Sequence, residues 1–219
     1  MSLARASTDR AGGMAARIGR LVGRVPVTTV YAVGLMLIAW PFARALTGAL
    51  GPDPVRTLEQ DLGLSALQVL VVMLAVTPLR RLSGISLLRF RRALGLTALM
   101  IVIAHLSVWL FLDVADVGRI WNDIVRRPWI TVGMAAFLMM LPLAATSTAS
   151  AIRRLGAAAW RRLHMLTYVL VPLAGVHFVM VRKGWQAEPL LYLALIALLL
   201  ALRLERLLPR RRSASRPRP

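Results

Sequence analysis

The chain has 219 residues, 58% of them hydrophobic, with 28 Lys and Arg against 9 Asp and Glu, a net charge of +19 and a mean hydropathy of +0.67. Soluble globular domains average about 45–50% apolar residues; here the excess lies in long uncharged blocks, which excludes a soluble domain and points to a bilayer protein. The absence of cysteine excludes disulfides, thiolate metal sites, iron–sulfur clusters and covalent c-type haem attachment.

Residues 1–25 read as a basic tail carrying Arg5, Arg10, Arg17, Arg20 and Arg24. They resemble the n-region of a signal peptide, but the apolar run that follows exceeds the usual h-region of about 7–15 residues, so it is expected to stay as the first helix. Uncharged stretches then cover 25–43, 62–79, 93–112, 128–152, 163–181 and 189–202. A span needs roughly 20 residues at about 1.5 Å rise each, and the first five stretches reach that length. The sixth is shorter but almost solid Leu and Ala, and Arg203 and Arg206 can snorkel at its end. The expectation is an all-α integral membrane protein, a six-helix bundle over 26–207 with short loops, followed by a basic disordered tail over 208–219.

Basic flanks are retained on the cytoplasmic side. Both tails, the segment from Arg80 to Arg92 and the segment from Arg153 to Arg162 hold 21 of the 28 basic residues, whereas the alternate loops hold seven of the nine acids, among them Asp53, Glu59, Asp61, Asp113 and Glu188. That alternation places both termini in the cytoplasm. The arginine-rich tail beside a span fits an anionic lipid surface, and the helices offer no groove-reading element, so nucleic acid is not an expected partner.

All three histidines fall within the apolar stretches: His105 in the third, His164 and His177 in the fifth. Ionisable residues in a bilayer are expensive and mark function by default. His105 lies 13 residues beyond Arg92 and His177 lies 15 beyond Arg162, about 20 and 22 Å of helical rise. The two imidazoles are therefore expected at one level on helices running the same way, toward the outer leaflet, as an axial pair for haem iron. Ala98, Ala104, Ala174 and Gly175 are candidates for making room for the ring. His164 lies about 20 Å lower and cannot share that iron; it is expected to contribute on the cytoplasmic side, with Trp160 and Tyr168 on its face at i−4 and i+4. The remaining tryptophans, including Trp109, Trp121, Trp129 and Trp185, read as interfacial anchors.

No G-x-G-x-x-G, P-loop, H-E-x-x-H or nucleophile elbow occurs. The spans carry no acidic residue or internal repeat of the kind transporters use, which leaves a cofactor-free transporter as the weaker alternative.

The runs Thr77-Pro-Leu-Arg-Arg81, Arg91-Arg-Ala-Leu-Gly-Leu96, Arg127-Pro-Trp-Ile-Thr-Val-Gly133, Leu141-Pro-Leu-Ala-Ala-Thr-Ser147 and Trp160-Arg-Arg-Leu-His164, with His105 placed between them, resemble the haem-binding membrane subunits of the bacterial periplasmic protein-methionine-sulfoxide reductase system. That family falls within the ferric-reductase-like transmembrane group. The likeness runs from about residue 26 to 207 and departs at Asp61-Leu-Gly63, where a Thr often precedes the glycine. It implies a multi-pass protein of the bacterial inner membrane with b-type haem, one or two, on His105, His164 and His177. It further implies electron transfer to a periplasmic molybdopterin-containing catalytic subunit that repairs oxidised proteins, with electrons from the quinone pool or a cytosolic flavin reductase and with FMN as a further cofactor. Substrate chemistry would then belong to the partner. A stand-alone ferric or quinone reductase is the competing redox assignment.

Overall fold

The computed structural model describes residues 17–182 and 186–204, the side chains of residues 117 and 204 excepted. Most of the two expected tails, together with Trp185 and Arg206, lies outside the described residues. Within them the regular elements are all helical. After a helical stretch over 17–24 the elements are α1 (Thr28–Leu46), α2 (Pro54–Ser83), α3 (Arg91–Val108), α4 (Val117–Arg126), α5 (Pro128–Ala145), α6 (Ala149–His164), α7 (Thr167–Val181) and α8 (Ala187–Leu204). A 3-10 turn, Leu88–Phe90, leads into α3, and a π-helical stretch, Trp109–Val114, prolongs it.

Charge marks where the apolar blocks end, but caps decide where the helices end. Asp53 starts α2 by accepting from the Arg56 N–H, with Pro54 in the first turn, and Gly84 closes it in the left-handed region at φ 75°. Asp116 caps α4 and Thr148 caps α6 in the same way. As a result α2 runs 30 residues, well past its uncharged core. Two segments expected as loops are helices: α4 on the acidic end and α6 on the arginine-rich end. Gly156, at φ 75° and ψ 151°, breaks α6 internally.

Five helical segments are long and apolar enough to cross a membrane: Thr28–Leu46, Pro54–Ser83, Leu88–Val114, Pro128–Ala145 and Ala149–Val181. Large apolar side chains cover the outside of the bundle, for example Leu35, Met36, Val72, Leu138 and Leu191, each at least half exposed. A surface of that kind is stable only with hydrocarbon as its solvent.

Four helices surround the centre. α2 packs on α3, α5 packs on α7, and the two pairs meet through α3 with α5 and α2 with α7, while α1 lies outside on α2 and α3 and α8 outside on α7 and α2. The core is Leu58, Leu62, Leu67, Leu70, Leu74, Ile101, Leu170 and Ile196 with their neighbours. Gln68 donates to the Tyr192 hydroxyl at 2.8 Å and Arg81 to the Leu202 carbonyl at 3.0 Å, tying α2 to α8 at two levels.

Arg203 does not snorkel outward. It is 5% exposed, its guanidinium lies over the Tyr168 ring, and it donates to the carbonyls of Leu74 and Met73 in α2. Pro78 explains the arrangement: it has no N–H to give to the carbonyl four residues earlier, which is that of Leu74. In a dry bundle a freed carbonyl needs another donor, and Arg203 supplies it. Leaving such a group without a partner costs about 1–3 kcal/mol. Arg203→Met is therefore expected to lower the thermal midpoint in detergent, and to cost about 1 kcal/mol less when combined with Pro78→Ala, which restores the missing N–H. Equal losses in the two backgrounds would refute this pairing.

Candidate functional site

His105 and His177 enter the space between the two helix pairs from α3 and α7. Their ring centroids are 6.5 Å apart with an interplanar angle of 77°. The expected common level of the two imidazoles is thus what the fold produces.

Each ring is held in the same way. His105 Nδ1 lies 2.9 Å from the Glu59 carbonyl oxygen of α2, and His177 Nδ1 lies 2.6 Å from that of Trp129 in α5. A carbonyl can only accept, so both Nδ1 atoms carry the proton and both Nε2 atoms keep a free lone pair when the rings are neutral. Four residues after each of those carbonyls stands a glycine. A Cβ at Gly63 would sit 3.3 Å from His105 Cε1, and one at Gly133 only 2.8 Å from His177 Cε1 and Nδ1. In a helix the carbonyl of residue i already bonds the N–H of i+4. The imidazole must therefore reach the second lone pair of that carbonyl across the i+4 residue, and only a residue without a side chain leaves the path open.

The two rings line a cavity of about 380 Å³. Its inner part is apolar, with Leu67, Leu70, Met140 and Leu170, and its mouth at the acidic end carries Arg56, Glu59, Asp113, Arg127 and Arg182. Two nitrogens on opposite sides of one first-row metal, each about 2.0–2.1 Å from it, place imidazole centres roughly 6.4 Å apart. The observed separation matches. Among the described residues no cluster of three or more His, Cys, Asp or Glu converges to hold a bare ion. Two imidazoles at this separation on a largely apolar cavity therefore suit a metal whose other ligands come from a macrocycle, and the residues present fit a haem.

His164 lies elsewhere. It is the last residue of α6, and a two-residue turn, Met165 and Leu166, separates it from α7 within the one membrane-length segment Ala149–Val181 that also holds His177. Thr146 Oγ1 donates its hydrogen to the Pro142 carbonyl at 2.6 Å and so accepts from His164 Nε2 at 3.2 Å. Trp160 stacks on the ring at 4.0 Å, and its Nε1–H donates to the Thr146 carbonyl at 2.9 Å. His164 is thus the opposite tautomer, with Nε2 engaged. Trp160 lies on its face as expected, whereas Tyr168, beyond the helix break, lies under Arg203.

Of the small residues expected to make room, Ala174 lines the cavity, Ala98 is fully buried in the core and Gly175 faces Leu193 and Ile196 of α8. Gly63 and Gly133 make the room instead. Both lie in runs already conspicuous in the sequence, but only the pairing of helices shows which glycine faces which histidine. Trp109, read as an interfacial anchor, is 8% exposed and lines the cavity.

A family model described as ferric reductase like transmembrane component matches residues 62–175, which hold the His105 and Gly63 cradle, Gly133 and His164. The Brucella ovis protein named "Protein-methionine-sulfoxide reductase heme-binding subunit MsrQ" is 45% identical over 198 residues, covering 90% of each chain. Proteins of the same name from Brucella canis and Brucella abortus match to the same extent. The chain belongs to this family of haem-binding subunits. No solved structure matches it.

The cradle predicts an asymmetry between the two glycines. Gly133→Ala must displace the His177 imidazole, while Gly63→Ala asks His105 to give only a few tenths of an ångström. Overpacking of this kind costs about 1–3 kcal/mol, so thermal denaturation in detergent should show a clearly larger loss for Gly133→Ala. A larger loss for Gly63→Ala would contradict the geometry.

Proposed function

We propose that the chain is a six-span electron carrier of the bacterial inner membrane that holds b-type haem between His105 and His177 and passes electrons to a periplasmic methionine-sulfoxide reductase catalytic subunit. The observation that carries this reading is the pair of carbonyl-oriented imidazoles 6.5 Å apart across an apolar cavity. The arginine-rich end is the cytoplasmic one in this topology, α8 is the sixth span, and both termini are cytoplasmic. The domain then runs over 26–207 between two basic tails.

When bound, the haem supplies a one-electron iron couple. The chain's residues do the rest. His105 and His177 present their Nε2 lone pairs; the Glu59 and Trp129 carbonyls fix the tautomer and make the rings better donors. Gly63 and Gly133 let the rings seat. Leu67, Leu70, Met140 and Leu170 keep water from the inner edge, which raises the influence of every nearby charge on the potential. His164, stacked on Trp160, serves the cytoplasmic side, and a second haem there would require its Nε2 to leave Thr146.

The acceptor side of the reading is supported by the printed names of the Brucella relatives, which describe a subunit of a protein-methionine-sulfoxide reductase. For the donor side the family resemblance provides quinol or a cytosolic flavin reductase, and FMN. Substrate chemistry, molybdopterin and protein repair belong to the catalytic partner.

An absorption spectrum of the detergent-purified protein, oxidised and then reduced, tests the assignment. The wild type should show a low-spin b-type haem signal, His105→Ala and His177→Ala should each abolish it, and His164→Ala should keep most of it. A colourless wild type, or equal loss from all three substitutions, would overturn the proposal.

A further inference from the structure

Haem is an amphiphile: an apolar macrocycle with two carboxylates on one edge. The cavity has a matching polarity, since apart from the two imidazoles its inner part offers apolar side chains and its polar lining gathers at the acidic end. Charge at the mouth does not by itself select an anion. Arg56, Arg127 and Arg182 share it with Asp53, Glu59 and Asp113, and Arg127 is paired with Asp123 at 3.1 Å.

Two buried donors do select one. Trp109 and Arg182 both line this cavity, and Trp109 Nε1 and Arg182 Nε are buried and find no hydrogen-bond partner among the described residues. Trp109 stands four residues beyond His105 and Arg182 five beyond His177, so each lies about one turn further toward the mouth than the imidazole on its own helix. The other face of the Arg182 side chain is already used: Nη2 pairs with Glu188 at 3.7 Å and the guanidinium lies over the Phe178 ring. Buried donors without partners are rare and costly, which marks them as waiting for an acceptor. Glu59 Oε1 is also buried without a partner, but a carboxyl can receive an anion only while it carries a proton, whereas the indole and guanidinium N–H groups are always donors.

Resting on the haem reading above, we infer that Trp109 and Arg182 are the carboxylate anchors of the site and hold the haem with its two propionates at the acidic, outward mouth. Neither is an iron ligand. Their role is to set which edge of the macrocycle faces out, and through charge-assisted hydrogen bonds to favour the diacid over any porphyrin lacking it.

The test compares binding of haem and of its dimethyl ester, which has the same iron and ring but no carboxylates, to the full-length chain produced under haem limitation and titrated in detergent, with the Soret band as readout. The wild type should bind haem at least tenfold tighter than the ester. Trp109→Phe, which keeps the aromatic ring and removes the N–H, and Arg182→Gln should each shrink that preference severalfold with little change in ester binding. Glu188→Gln, which breaks the same ion pair but leaves Arg182 Nε in place, should retain the preference. A preference unchanged in both Trp109→Phe and Arg182→Gln, or equal weakening of haem and ester, would overturn the anchor assignment while leaving axial ligation intact. No Soret band with either porphyrin would overturn the haem reading itself.

Discussion

The site depends on one contact made twice: an imidazole N–H bonded to the spare lone pair of a helical carbonyl, over a glycine one turn later. Glu59 with Gly63 serves His105, and Trp129 with Gly133 serves His177. The contact does three things at once. It satisfies the buried Nδ1–H, it forces the lone pair onto Nε2, and it fixes the ring against a main-chain atom that cannot change rotamer. Hydrocarbon on the outside strengthens the constraint, because no water competes for the carbonyl or the N–H.

The same scarcity of water explains Arg203. A charged side chain buried in the last turn of an apolar helix looks like an error until the helix across from it is considered. Pro78 frees the Leu74 carbonyl, and a guanidinium can reach that carbonyl and Met73's together while its plane rests on Tyr168. Reading Arg203 as a snorkelling end residue treated α8 as an isolated helix facing lipid. The actual environment is set by α2, and nothing in the periodicity of α8 discloses it.

That distinction separates what was legible from what was not. Composition and uncharged blocks located the apolar helices, and simple rise per residue put His105 and His177 on one level, because both depend on a single helix at a time. Capping by Asp53, Asp116 and Thr148 extended or created helices that block counting took for loops. A short turn at Met165 and Leu166 divides the segment that carries His164 and His177, a local feature that no charge or proline marks in the sequence. Gly63 and Gly133 were in view, yet a mid-helix glycine in a membrane protein has many uses; its use here appears only when the opposite helix is known. Trp109 illustrates the same point, an aromatic near a span end that turns inward to the cavity.

The two cradles do not by themselves set the distance between the imidazoles. Each links the helices of one pair, α2 with α3 and α5 with α7, so each moves with its own pair. The 6.5 Å separation is instead decided where the pairs meet, through α3 on α5 and α2 on α7. Leu67 and Leu70 of α2, Met140 of α5 and Leu170 of α7 line the inner end of the cavity between the pairs. Close-packed interiors transmit even a methylene-sized change, so these side chains act as spacers between the two imidazoles. Orientation of the donors is therefore a main-chain property, while their separation is a property of core packing, and the two can vary independently.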